Sequence, residues 1–67
     1  MTLREFTFHT YYCTPLKIID YYATTDFCVR ATPQTLDGYE YKDIMEKEVK
    51  SWGLGNNVLE IQIDMEG

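Results

Sequence analysis

The fold of this 67-residue chain is decided by its C-terminal stretch, Gly55-Asn56-Asn57-Val58-Leu59-Glu60-Ile61-Gln62-Ile63-Asp64-Met65. From Leu59 onward every second residue is apolar and the residues between are polar, which predicts a strand with one buried face and one wet face. Gly and Asn tolerate the positive φ of a tight hairpin turn. The stretch therefore predicts the second arm of a β-hairpin that Lys50 to Leu54 lead into.

A helix that would cover the buried face is predicted just upstream, from about Tyr41 to Val49. Its apolar residues Tyr41, Ile44, Met45 and Val49 recur at helical spacing and form one stripe. An amphipathic helix and a half-apolar sheet each need a partner layer, so we expect the stripe to pack on the sheet. Residues 33–38 contain Pro, Asp and Gly, and they are predicted to be the loop before this helix.

The N-terminal half adds further strands. Residues 16–22 and 27–32 are predicted to form an antiparallel hairpin. Residues 6–12 are rich in β-branched and aromatic residues, which favours another strand. Thr2 and Glu5 match a capping box, which would instead start a short helix; the strand is preferred because its signal is longer. The predicted fold class is α+β, a single domain over residues 1–67 with an antiparallel sheet of about four strands and one helix packed on one face.

The charge of the chain limits its partners. Eleven acidic residues stand against six basic ones, so the net charge is −5, and direct nucleic-acid binding is disfavoured because it depends on Lys and Arg. Eight of the eleven acids lie from Asp37 onward, and such a surface favours a protein partner with a basic surface. The sequence shows no secretory signal and no membrane-spanning apolar run, which predicts a cytoplasmic protein with no membrane partner.

Catalysis, metals and cofactors receive little support from the sequence. There is one His and no Gly-rich phosphate loop, so we predict that the chain is not an enzyme and holds no cofactor. His9 and Cys13 have a spacing found in zinc sites, but the ligands are too few, and no metal is predicted. Cys13 and Cys28 are expected to be reduced, with at least one in the core. A strand-end or turn hydrogen bond is expected for Asp20.

The candidate partner-binding residues are acidic and aromatic. They are Asp37, Glu40, Asp43, Glu46, Tyr39 and Trp52. Helix-start chemistry and a solvated face are the alternative explanation for the acids, whereas Tyr and Trp are typical interface anchors. The pairs Tyr11-Tyr12 and Tyr21-Tyr22 are expected on strands, where neighbours project to opposite faces and one of each pair is exposed. An unprotected last strand, residues 58–65, would support a homodimer through edge-to-edge pairing.

Residues 36–65 also resemble small proteins encoded by phages and prophages of Gram-positive bacteria. The matching features are Asp37-Gly38, the helix ending Met45 to Ser51, the turn Asn56-Asn57 and the closing strand 58–63, with 16–20 as the preceding strand. The resemblance implies an N-terminal helix and a non-catalytic inhibitor of a host defence complex, such as an anti-CRISPR protein that occupies the DNA-binding surface of a type II nuclease. The alternatives are a nucleotide-signal sponge, which would need Arg4, Lys17 and Arg30 to cluster, and a structural or assembly protein.

Overall fold

A computed structural model describes residues 1–23 and 25–66, with the side chain of Tyr39 excepted. The elements are short, and four of them are strands. In chain order they are α1 (Leu3–Phe8), β1 (Leu16–Asp20), β2 (Cys28–Ala31), α2 (Pro33–Leu36), a 3₁₀ helix (Tyr39–Tyr41), α3 (Lys42–Met45), β3 (Val49–Gly55) and β4 (Val58–Ile63).

The four strands form one mixed sheet in the order β2-β1-β4-β3. Ile18 of β1 faces Val29 of the antiparallel β2 on one side and Ile61 of the parallel β4 on the other. Strand β3 pairs antiparallel with β4. The α+β class is therefore confirmed, with a sheet that is mostly antiparallel. The prediction that the last strand is an unprotected edge is wrong, because β4 returns to lie between β1 and β3.

Both predicted hairpins form. Strands β1 and β2 pair over residues 16–19 and 28–31. In the C-terminal hairpin Gly55 faces Val58, and the two residues between them have positive φ, 49° at Asn56 and 64° at Asn57. Two central residues with positive φ define a type I′ turn, whose twist matches that of the flanking strands.

One face of the sheet carries the core. The fully or almost fully buried apolar residues are Leu3, Leu16, Ile18, Leu36, Ile44, Met45, Ile61 and Ile63. Four of them come from the two central strands, and the other four come from the three α-helices. The helices therefore cover β1 and β4, as the alternation in β4 requires. The opposite face has no helix over it in the described part of the chain.

The prediction of a strand over residues 6–12 is wrong. The hydroxyl of Thr2 accepts from the backbone N–H of Glu5 (3.2 Å), and the Glu5 carboxylate accepts from the Thr2 N–H (2.9 Å), which completes the capping box. The helix α1 then buries Leu3 and Thr7, which lie one turn apart. Local helix-start chemistry decides this segment over its β propensity.

The single helix predicted over residues 41–49 is divided. It is a 3₁₀ helix followed by α3, and it stops at Met45 because residues 47–49 pair with the N-terminal segment instead. The Leu3 N–H donates to the Lys47 carbonyl (2.9 Å), and the Val49 N–H donates to the Met1 carbonyl (2.8 Å). The predicted loop 33–38 contains α2, whose N-cap is the Thr32 hydroxyl.

Candidate functional site

The predicted acidic residues all lie on the helical side of the molecule. Asp37 ends α2, Glu40 is in the 3₁₀ helix, Asp43 is in α3, and Glu46 directly follows α3. All four are exposed. The backbone of Tyr39 is part of the 3₁₀ helix, and its side chain lies outside the described part of the structure.

One of the four acids has a cationic partner. Glu46 accepts from Arg4 of α1, with the guanidinium 2.8 Å from its Oε1. Both side chains are more than half exposed, so this ion pair contributes little to stability. Its consequence is local, because it fixes the position of Arg4 beside α3 and balances the charge of Glu46.

A groove of about 510 Å³ is lined by residues of α1, α2 and α3. The residues that line it are Arg4, Thr7, Phe8, Thr10, Tyr12, Pro33, Gln34, Asp37 and Met45. We call it the α1–α2 groove. Of the predicted site residues, Asp37 lines the groove directly, and Glu46 is linked to it through the ion pair with Arg4. The Phe8 and Tyr12 rings are exposed there, by 82% and 58%. The groove therefore places a carboxylate near two solvent-exposed aromatic rings.

Trp52 lies on the other side of α1 from this groove. Successive residues of an α-helix are 100° apart, so Phe6 points away from the side that carries Arg4 and Phe8. The Phe6 ring meets Trp52 edge to face, with centroids 5.7 Å apart. Trp52 is nevertheless 62% exposed. The structure therefore does not bring Trp52 together with the predicted acids.

Leu54 and Phe8 are exposed apolar residues that the sequence patterns did not indicate. Leu54 is 84% exposed on β3, two residues beyond Trp52. Alternation places both β3 residues on the core face of the sheet, opposite Leu59 and Ile61. Trp52 and Leu54 are exposed because β3 is the last strand of the sheet and its edge lacks a cover. The position of β3 in the sheet order is the signal that would have predicted this exposure.

The tyrosine pairs lie in turns rather than on strands. The rings of Tyr11 and Tyr12 contact each other with centroids 4.8 Å apart, and those of Tyr21 and Tyr22 are 5.0 Å apart. All four side chains are exposed. The expectation that the members of a pair point to opposite faces is therefore wrong.

The basic residues needed by a nucleotide sponge are divided between the two faces of the sheet. Lys17 and Arg30 face each other across β1 and β2, on the uncovered face. They line a small cleft near Asn56 together with Glu60. Arg4 lies on the covered side, paired with Glu46.

The structure tests the expectations for the two cysteines and for Asp20. Cys13 and Cys28 are both free and exposed, so the expectation that one lies in the core is wrong. Asp20 is buried, and its carboxylate accepts from the backbone N–H groups of Tyr22 (3.0 Å) and Thr25 (3.1 Å) and from the Thr25 hydroxyl (3.1 Å). The turn hydrogen bond expected for Asp20 is confirmed. Residues 1–23 and 25–66 contain no cluster of three potential metal ligands.

Comparisons with protein-family models, curated proteins and solved structures give no match for this chain. The longest described helix has six residues, and no helix in the described part of the chain is long and apolar enough to cross a membrane.

Proposed function

We propose that this chain is a non-catalytic protein-binding inhibitor that covers a basic surface of its partner. The observation that carries the proposal is the α1–α2 groove. It combines the Asp37 carboxylate with the exposed rings of Phe8 and Tyr12. A carboxylate and an aromatic face are the two groups that bind a Lys or Arg side chain most directly.

The acidic residues around this groove extend the same chemistry. Glu40 and Asp43 are exposed on the helices that follow α2, and the chain carries a net charge of −5. The negative electrostatic potential of such a chain speeds its association with a basic partner and suppresses association with acidic ones. The contact would therefore weaken as the salt concentration rises.

We propose further that the partner is a host defence complex in the bacterial cytoplasm, such as a type II CRISPR nuclease, and that the chain is encoded by a phage. A nuclease of this class holds nucleic acid in a positively charged channel. An acidic domain that occupies this channel would compete with the DNA for the same Lys and Arg side chains. The inhibitor needs no chemistry of its own for this effect.

The test uses a purified type II CRISPR nuclease with its guide RNA. Binding is measured by biolayer interferometry, and inhibition is measured as the rate of target DNA cleavage. The test variant combines Asp37→Lys, Glu40→Lys and Asp43→Lys. We expect it to bind at least about tenfold more weakly than the unmodified chain, because close charge pairs across an interface couple strongly.

The control is Asp26→Lys. Asp26 is an exposed acid that comes just before β2, at the end of this strand that is distant from α2. It should bind nearly as well as the unmodified chain. Equal binding by the triple variant would contradict the acidic mechanism. An absence of binding by the unmodified chain at low salt would contradict this choice of partner.

A further inference from the structure

Strand β3 has a free edge along residues 50–55. Its start is covered, because Thr2 bridges to Glu48 and the Val49 N–H donates to the Met1 carbonyl at 2.8 Å. Beyond Val49, no described strand pairs with this side of β3, and β3 is the last strand in the sheet order. Residues 50–55 thus leave backbone groups open to pairing with another strand.

The backbone groups that point outward from this edge belong to Trp52 and Leu54. The two-residue turn is flanked by Gly55 and Val58. In a hairpin with such a turn, the flanking residues are joined by backbone hydrogen bonds. Hydrogen-bonded and non-hydrogen-bonded pairs alternate in an antiparallel ladder. Gly53 therefore directs its N–H and C=O toward β4, whereas Trp52 and Leu54 direct theirs to the free edge.

The side chains of the free edge are apolar and nearly uncharged. Trp52 and Leu54 are 62% and 84% exposed on one face. Between them, Gly53 leaves the other face open, since a Cβ there would meet nothing within 4 Å. Lys50 is the one charged residue between positions 50 and 55, although the whole chain carries −5.

We propose that the free edge pairs with the free edge of a second copy of this chain. The two β3 strands would run antiparallel, with a two-fold axis passing beside Gly53. This inference goes beyond the proposed function and does not depend on it.

The position of the axis follows from the pattern of the edge. An axis at Gly53 sets Trp52 opposite Leu54 of the other copy, twice, so that each outward-pointing residue meets another outward-pointing residue. The two Gly53 residues become the non-hydrogen-bonded pair, where Cα atoms approach to about 4.5 Å. An axis between two residues would set outward groups against inward ones, and an axis at Trp52 would set the two Trp side chains against each other.

Charge also favours a second copy. Two copies of an acidic chain repel each other over most of their surfaces, but residues 49–59, which include this edge, contain no acid. With the axis at Gly53, Lys50 faces the neutral Asn56 of the other copy. The pairing therefore satisfies two edges at once without setting like charges against each other.

The first measurement is the mass in solution by sedimentation over about a hundredfold range of concentration. The mass should rise from that of the monomer to twice that value. Leu54→Pro removes an N–H that points away from β4, so it should leave the fold intact and abolish the rise. Urea unfolding of the variant at low concentration checks that it folds.

The second measurement locates the axis by a disulfide. In a background with Cys13→Ser and Cys28→Ser, Gly53→Cys should form a covalent dimer on mild oxidation, because the two thiols would meet at the axis. Ser51→Cys is the matched control on the same face and the same strand. Its two thiols would lie far apart, and it should stay monomeric.

Three results would overturn the proposal. One is a mass that stays monomeric across the concentration range. Another is a dimer that persists in folded Leu54→Pro, since it would use a different surface. The third is equal cross-linking of Ser51→Cys and Gly53→Cys, which would show that the contact has no fixed register.

Discussion

Strands β3 and β4 are two arms of one hairpin, and residues that face each other across it differ sharply in burial. Ile61 is fully buried, whereas Trp52 directly opposite is 62% exposed on the same face of the sheet. Strand β4 lies between two strands, and helices cover it. Strand β3 pairs with β4 on one side and with Met1 at its start on the other, and Phe6 of α1 contacts Trp52. Alternation thus decides which face a residue occupies, and the place of the strand in the sheet decides whether that face is buried.

The largest effect on stability is expected in the buried arm. Ile61→Ala should lower the free energy of unfolding by about 2–5 kcal/mol, because it removes apolar contacts and leaves a cavity under the helices. Urea denaturation followed by circular dichroism measures this. Such a loss can unfold so small a domain, so Ile61→Val, expected to cost about 0.5–1.5 kcal/mol, keeps the test quantitative. A change below about 0.5 kcal/mol in both variants would contradict the assignment of β4 to the centre of the sheet.

A polar residue is part of the same buried region, at the end where β1 lies beside Ile63 of β4. Asp20→Ala should cost about 1–3 kcal/mol, because Asp20 is buried and the partly buried N–H groups of Tyr22 and Thr25 lose their acceptor. Asp20→Asn is the matched variant. It retains one acceptor oxygen and should lose less than Asp20→Ala when both are unfolded in urea. Equal losses in the two variants would mean that the negative charge of the carboxylate, and not the acceptor oxygen or the volume that Asn retains, explains the role of Asp20.

The difference between the two arms also marks the limit of what the sequence could predict. The alternation of Ile61 and Ile63 and the Asn56-Asn57 turn are local signals, and they predicted a strand face and a hairpin that form. The parallel pairing of β1 with β4 is non-local, because it depends on how residues 21–57 cross over the sheet. For the same reason the exposure of Leu54 was not predictable, and β4 was mistaken for an edge.

Local and non-local interactions each explain one further difference between the predicted and the observed helices. The capping box of Thr2 and Glu5 was visible in the sequence, and it decides α1 against the β propensity of residues 6–12. At Lys47 the opposite happened, since a distant segment takes over the backbone groups that a longer helix would have used. The acidic candidates were placed on the helical side by sequence, but the groove beside Asp37 needs α1, which was predicted as a strand.

A substitution at Thr2 tests the start of β3, which the N-terminal segment covers, independently of the free edge at residues 50–55. Thr2→Ala removes the N-cap of α1, and we expect a loss of about 1 kcal/mol in the free energy of unfolding. The N-terminal segment that pairs with residues 47–49 should loosen as well, which hydrogen exchange of the Val49 amide would report. Thr2→Ser keeps the capping hydroxyl and is the control. Faster exchange at Val49 in both variants would argue against the cap as the cause.

The partner of Thr2 in this cap responds to pH. Hydrogen bonds from the backbone N–H and hydroxyl of Thr2 hold the pKa of Glu5 below its ordinary value of 4.5. The ionised carboxylate therefore stabilises the folded state above that value, and the contribution is lost as pH falls through the lowered pKa. The stability difference between the unmodified chain and Glu5→Gln should be present at neutral pH and shrink on acidification below about pH 4.5. A difference that grows on acidification would contradict this sign.

The smallest effect on stability is expected in the exposed arm of the hairpin, at Leu54. Leu54→Ala should change the free energy of unfolding of the monomer by no more than about 0.5 kcal/mol, because its side chain is 84% exposed. The measurement is made at the lowest practical protein concentration, so that association does not add to the stability. A loss above about 1 kcal/mol under those conditions would show that Leu54 packs within its own domain. The side chain of Leu54 would then be covered by its own chain, and the contrast in burial between β3 and β4 would disappear at this position.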